Sequence, residues 1–141
     1  MNLHSRNIPE LDLHVLDADG KEVLKDLFVP LFTTLAPGLD SRAEELEVAH
    51  LQGPPFAVDC RYTKGGASFP LSVAAGYHPA ITSSRIRIIC GMSIMPDVPR
   101  QNGKMKIRLG SQTITINVQV HAEKERELML FQPIWAAYES L

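Results

Sequence analysis

Two adjacent serines, Ser83 and Ser84, two cysteines, Cys60 and Cys90, five histidines and the basic run Lys104, Lys106 and Arg108 are the groups in these 141 residues with chemistry to offer. The serines sit in no nucleophile elbow, and Cys60 has no histidine at a spacing that marks a thiol–imidazole pair. His4, His14, His50, His78 and His121 lack the i, i+4 spacing that lets one helix face grip a metal, so they read as ordinary surface or half-buried side chains. The cysteines are too few for a disulfide framework or a four-thiolate zinc site and are expected reduced and buried. Asp17-Ala18-Asp19-Gly20, with Asp26 beyond, resembles part of a calcium loop. Val15, however, occupies its first acidic position, which leaves a turn feeding a helix. Glu44, Glu45 and Glu47 cluster locally, with Glu45 and Glu47 on the solvent face of one strand, where ordinary solvation accounts for them. The residues therefore predict a non-catalytic chain without metal or cofactor.

Lys104, Lys106 and Arg108 alternate, so on a strand they project from one face as a ridge of positive charge. Such a ridge suits a solvated sheet face, phosphates or an acidic partner. The net charge of -2 and the lack of interleaved aromatic rings argue against nucleic acid.

The elements that must position these groups follow from periodicity. Leu11, Leu13 and Val15 alternate with polar residues as a short strand. A helix is predicted from Gly20 to Ala36, capped by Asp19 and Glu22, with Leu24, Leu27, Phe28, Leu31 and Leu35 as its apolar stripe. Pro30 is expected to kink it and Pro37-Gly38 to stop it. Strands are predicted at 44–51, with Leu46 and Val48 inward, and at 56–63, with Val58, Cys60 and Tyr62 inward. A tight turn at Lys64-Gly65-Gly66 leads to a third strand, 67–73, whose Pro70 marks a sheet edge. A second helix is predicted from His78-Pro79 to Cys90, stopped by Gly91, with Arg85 and Arg87 on its wet side. Residues 96–103 read as irregular, with Gly103-Lys104 as a turn. Strands at 104–109, 112–121 and 127–131 follow, and Ile114, Ile116, Val118 and Val120 give the clearest alternation in the chain.

Ser84-Arg85-Ile86-Arg87-Ile88-Ile89-Cys90-Gly91-Met92-Ser93-Ile94, followed by Arg100-Gln101-Asn102-Gly103-Lys104, resembles a stretch of the type II secretion and type IV pilus assembly ATPases. There a helix reading Ser-Arg-Ile-Lys leads through a Gly-Leu-Asp-Ile segment to Pro-Gln-Asp-Gly-Arg and a long hairpin. The helix from Gly20, the strand Ala43 to Val48, the strand and turn Val58 to Gly66, and Ile107 to Gly110 resemble further parts of the same domain, in the same order. The similarity spans residues 20–131, with 1–19 as an N-terminal strand or arm and 132–141 as a tail or short helix. It implies an α+β fold, one antiparallel or mixed sheet with helices on one side in a PAS-like two-layer arrangement.

In that family the domain precedes a RecA-like motor, docks on a neighbouring motor and turns basic side chains toward nucleotide. These 141 residues hold no Gly-x-x-x-x-Gly-Lys-Ser/Thr phosphate loop, so the resemblance implies the platform without the motor. By position Arg85, Arg87 and Lys104 match the family's basic residues, while Asn117 stands where it carries an arginine. The expected role is a cytoplasmic interaction module whose partner is a secretion or pilus assembly ATPase, a related assembly protein or a second copy of itself. Contact is expected through Lys104, Lys106, Arg108, Trp135 or Tyr138. A ligand- or nucleotide-sensing regulatory domain is the other expectation. No apolar stretch reaches the roughly 20 residues of a membrane-spanning helix, and no insertion into a bilayer is expected.

Overall fold

The computed structural model describes residues 13–23, 28–52, 57–95 and 98–135. In chain order the elements are β1 (Leu13–Leu16), α1 (Val29–Asp40), β2 (Glu45–Leu51), β3 (Ala57–Lys64), β4 (Ala67–Leu71), α2 (Pro79–Ile89), β5 (Arg100–Leu109), β6 (Gln112–Ala122) and β7 (Arg126–Pro133). The strands form one open sheet in the order β1-β5-β6-β7-β2-β3-β4. Every pairing is antiparallel, so the fold is α+β with no parallel component.

Alternation decides which side is wet. Leu46 and Val48, Met105 and Ile107, Ile114 to Val120, and Met129 and Phe131 point inward and are buried. They merge with Phe32, Leu35 and Leu39 of α1 and Ile86 of α2 into one continuous apolar cluster. Both helices therefore cover the same inner face, and among the described residues no helix lies on the other. Burial of a large side chain such as Phe32 or Phe131 contributes about 3 kcal/mol. Among the described residues, no helix is long and apolar enough to cross a membrane.

The first helix departs from its predicted bounds. Asp17 Oδ1 accepts hydrogen bonds from the backbone N–H groups of Asp19 and Lys21, which folds the chain back on itself. Glu22 then bridges to Leu16 and the Val23 N–H donates to the Val15 carbonyl. Asp19 and Glu22 thus serve a turn rather than a cap. The helix begins at Val29, where Pro30 sits in the first turn and its missing N–H is harmless. The predicted stripe residues Leu24 and Leu27, and the calcium-loop position Asp26, lie outside the described residues.

Nor does α1 stop at Pro37-Gly38. Gly38 stays helical, and it must be glycine because the helix lies so close to the sheet that a Cβ there would meet Leu46 Cδ2 at 2.7 Å and Tyr62 Cβ at 3.1 Å. The end comes at Arg42, in the left-handed region at φ 55. Ala43 N–H donates to the Gly38 carbonyl at 2.9 Å and Arg42 N–H to Leu39 at 3.1 Å, the Schellman pattern without its usual glycine. Helix α2 follows prediction. His78 Nδ1 accepts from the Ile81 N–H, Pro79 opens the first turn, and Gly91 at φ 73 closes the same pattern through Met92 N–H to the Arg87 carbonyl at 2.7 Å.

The hairpin β5–β6 is longer than predicted. Strand β5 starts at Arg100, so Gln101-Asn102-Gly103 is extended chain and not a turn. Gly103 is required there, because a Cβ would lie 2.5 Å from the Cys90 carbonyl oxygen and 2.9 Å from Cys90 Cβ; the end of α2 rests directly on the strand. Strand β1 pairs with β5, which ties residues 13–16 into the same sheet as the rest. At the other border, β4 carries Pro70 opposite Arg61. Counting outward from the two-residue turn Gly65-Gly66, Pro70 falls at a non-hydrogen-bonded position and its nitrogen faces away from β3.

Both cysteines are free and buried on the inner face. Burial pushes the Cys90 thiol up to about 12, and burial together with the Asp59 charge does the same for Cys60. With almost no thiolate at neutral pH, neither is expected to react with Ellman's reagent until denaturant is added, whereupon both titrate. A thiol that reacts in seconds in the native protein would contradict this packing.

Candidate functional site

The most concentrated set of polar side chains lies at one end of the inner face, under α2. His50 of β2 and Glu127 of β7 are cross-strand partners. Period-2 spacing from Leu46 and Val48, and from Met129 and Phe131, turns both inward. Ser83 and Arg87, one helical turn apart on α2, descend onto them. Glu127 Oε1 lies 2.9 Å from His50 Nδ1, while Oε2 accepts from Ser83 Oγ at 2.7 Å and Arg87 Nη2 at 2.5 Å. His50 Nε2 is 2.7 Å from the Tyr77 hydroxyl. Arg87 also donates through Nε to Ser83 Oγ and through Nη1 to the Ser93 carbonyl, and Gln101 holds Ser93 by its backbone N–H and carbonyl. His50, Arg87 and Glu127 are 4%, 6% and 8% exposed.

Burial alone would raise the Glu127 pKa, yet hydrogen bonds from His50, Ser83 and Arg87 and the Arg87 charge outweigh it and hold the carboxyl at about 2. An ionised carboxylate only accepts, so His50 presents Nδ1–H to Glu127. Burial raises the Tyr77 hydroxyl well above the usual phenol range. These assignments define what the cluster can do. In a nucleophile triad the imidazole stands between hydroxyl and acid; here the carboxylate stands between Ser83 and His50, and Glu127 is too weak a base to activate the serine. The cluster is an ion-pair lock between α2 and the sheet.

Outside the lock runs a cleft of two adjoining hollows, about 450 and 340 Å³, that share Gln52, Ser83, Ser84 and Glu127. Glu123 and Lys124 of the β6–β7 turn and Ile94 also line the larger. Among the described residues, no group of three or more histidine, cysteine, aspartate or glutamate side chains is placed to hold a metal.

The predicted basic residues separate onto two sides of the sheet. Arg87, expected on the wet side of α2, is buried in the lock, whereas Ile81 and Ile88 of the same helix are exposed. The attraction of Glu127 beneath the helix accounts for the exchange. Arg85 is half-buried on α2, on the inner side. Lys104, Lys106 and Arg108 do form the predicted ridge on the outer face of β5, opposite in direction to buried Met105 and Ile107. Arg108 Nη2 lies 3.9 Å from Glu22 Oε1. Arg87 and Lys104 therefore do not converge on one ligand.

Beside Lys104 the outer face holds a depression of about 400 Å³, lined by the carboxamides of Asn102, Asn117, Gln119 and Gln132. Trp135 packs against the core, and its indole N–H donates to the buried Ala43 carbonyl at 2.7 Å. Trp135→Phe is expected to lower stability by about 1–2 kcal/mol in urea titration by orphaning that carbonyl; no change would mark the indole as a loose anchor instead. Tyr138 lies outside the described residues. No protein-family model matches this chain, and no curated protein matches it either.

Proposed function

We propose that this chain is a non-catalytic docking module, built like the domain that precedes the motor in type II secretion and type IV pilus assembly ATPases. Its docking surface is the outer face of the β5–β6 hairpin. The observation that carries this reading is the seating of α2 on the hairpin at Gly103, in the element order that the sequence resemblance leads one to expect. The basic ridge suits an acidic surface on the partner, and no helix among the described residues covers the outer face on which it stands. The test is capture of a purified secretion or pilus assembly ATPase by the immobilised chain. Retention of the ATPase, weakened by Lys104→Glu, supports the proposal, and failure to retain any such ATPase at low salt defeats it.

A second reading, a ligand- or nucleotide-sensing domain, is favoured by the amide-lined depression beside Lys104, where four carboxamides supply donors and acceptors around one positive charge. Thermal shift with ATP, ADP and cyclic dinucleotides tests it; no stabilisation at millimolar ligand removes it.

A further inference from the structure

The outer face carries both signs of charge in matched register. Following the pairings across the sheet, Lys104 of β5 lies opposite Asn117 of β6, and Asn117 opposite Gln132 of β7. Gln132 in turn donates to Glu45 of β2 at 2.8 Å. Lys104 and Glu45 therefore stand on one row, three strand spacings apart at about 14 Å, too far to pair within the chain. The next row runs from Asn102 through Gln119 and Leu130 to Glu47. Basic side chains lie along β5 and carboxylates along β2, where Glu47 also has Arg61 of β3 as its cross-strand neighbour, and amides with the half-buried Leu128 and Leu130 lie between them.

We propose that this face closes on a second copy of the chain about a two-fold axis parallel to the strands, above the seam between β6 and β7. The proposal rests on the outer face being the docking surface and names a partner for it. Such a rotation lays β5 of each copy over β2 of the other and leaves the position along the strand unchanged. Lys104 then meets Glu45 of the second copy, twice by symmetry, and Asn102 meets its Glu47. Aligned sheets pack at about −30°; at about 7 Å from the axis this displaces the pair by only about 4 Å, within the reach of a lysine. The registers leave β5 over β2 and β6 over β7 in the overlap, roughly 400 Å² per copy, below the standard specific interface, so the pairing is of the weak class that salt disrupts.

Sedimentation of the full chain tests this. The wild type is expected to dimerise at about 0.05 M salt and to associate at least tenfold more weakly at about 0.5 M. Lys104→Glu and Glu45→Lys, both on the solvated face, should each be monomeric alone, because each brings like charges together at both contacts. Mixed one to one, they should form a heterodimer in which both contacts are again opposite in sign, and that recovery shows both variants to be folded. A monomeric wild type at low salt and high concentration, or a mixture that fails to associate, overturns the proposal. A monomer that still captures the ATPase refutes only the self-pairing; because the dimer covers the hairpin face, the docking reading is tested on the monomeric Glu45→Lys variant, whose Lys104 ridge is intact, and a charge-dependent dimer whose Glu45→Lys monomer captures no ATPase refutes only the docking reading.

Discussion

Replacement of Arg87 by alanine is expected to lower the unfolding free energy by about 3–5 kcal/mol, because it leaves Glu127 buried without its charge partner. Loss of packing alone would also destabilise, so the pH dependence is the decisive readout. In the wild type the Glu127 carboxyl is held at about 2 against an ordinary 4.5. A depressed carboxyl contributes stability that is complete above about pH 4.5 and drains away as the pH falls toward 2. The difference between wild type and Arg87→Ala, measured by urea titration, should therefore be largest at neutral pH and shrink across that window. A difference that stays constant from neutral pH down to the acid limit would reduce Arg87 to a space-filling role.

Gly103→Ala is expected to cost about 3 kcal/mol, at the upper end of what overpacking takes. The obstacle is the Cys90 backbone carbonyl at 2.5 Å, which cannot rotate aside, so α2 must lift from β5 or the strand must bow. Gly38→Ala is the informative comparison, since its closest obstacle is the terminal methyl of Leu46 at 2.7 Å, a side chain with other rotamers. The Gly103 variant should show the larger drop in urea midpoint and faster hydrogen exchange at Gly91 and Met92. Equal losses at the two sites would mean that the end of α2 does not bear on the hairpin.

Where sequence alone succeeded, a single periodicity or a single residue type carried the information. The alternation of Ile114 to Val120, the edge position of Pro70 and the glycine stop at Gly91 each needed no knowledge of the rest of the chain. Failure came where distant contacts decided. Pro37-Gly38 carries every local mark of a helix end, yet the glycine there serves close approach to Leu46 and Tyr62 inside the helix, and Arg42 adopts the left-handed cap. Asp19 and Glu22 have the spacing of a capping box, but Asp17 and the bridge from Leu16 to Glu22 form a turn first. The lock was within reach. His50 and Glu127 extend the inward series of their strands by one step, and Ser83 and Arg87 share a helix face. What was invisible is that β2 and β7, far apart in the chain, lie side by side and set a carboxylate beneath the arginine.

The two borders of the sheet have a consequence for how this molecule behaves when concentrated. Along β4 the turn geometry leaves Ser68 as the sole outward N–H donor, with Pro70 offering none, and the far side of β1 is met at Val15 and Leu16 by the returning segment through Glu22 and Val23. Among the described residues both rims thus offer few free ladder groups, which disfavours growth by sideways addition, the route to fibrils. Association is thereby steered toward a closed meeting of broad surfaces, which suits the fold to tandem fusion or dense display.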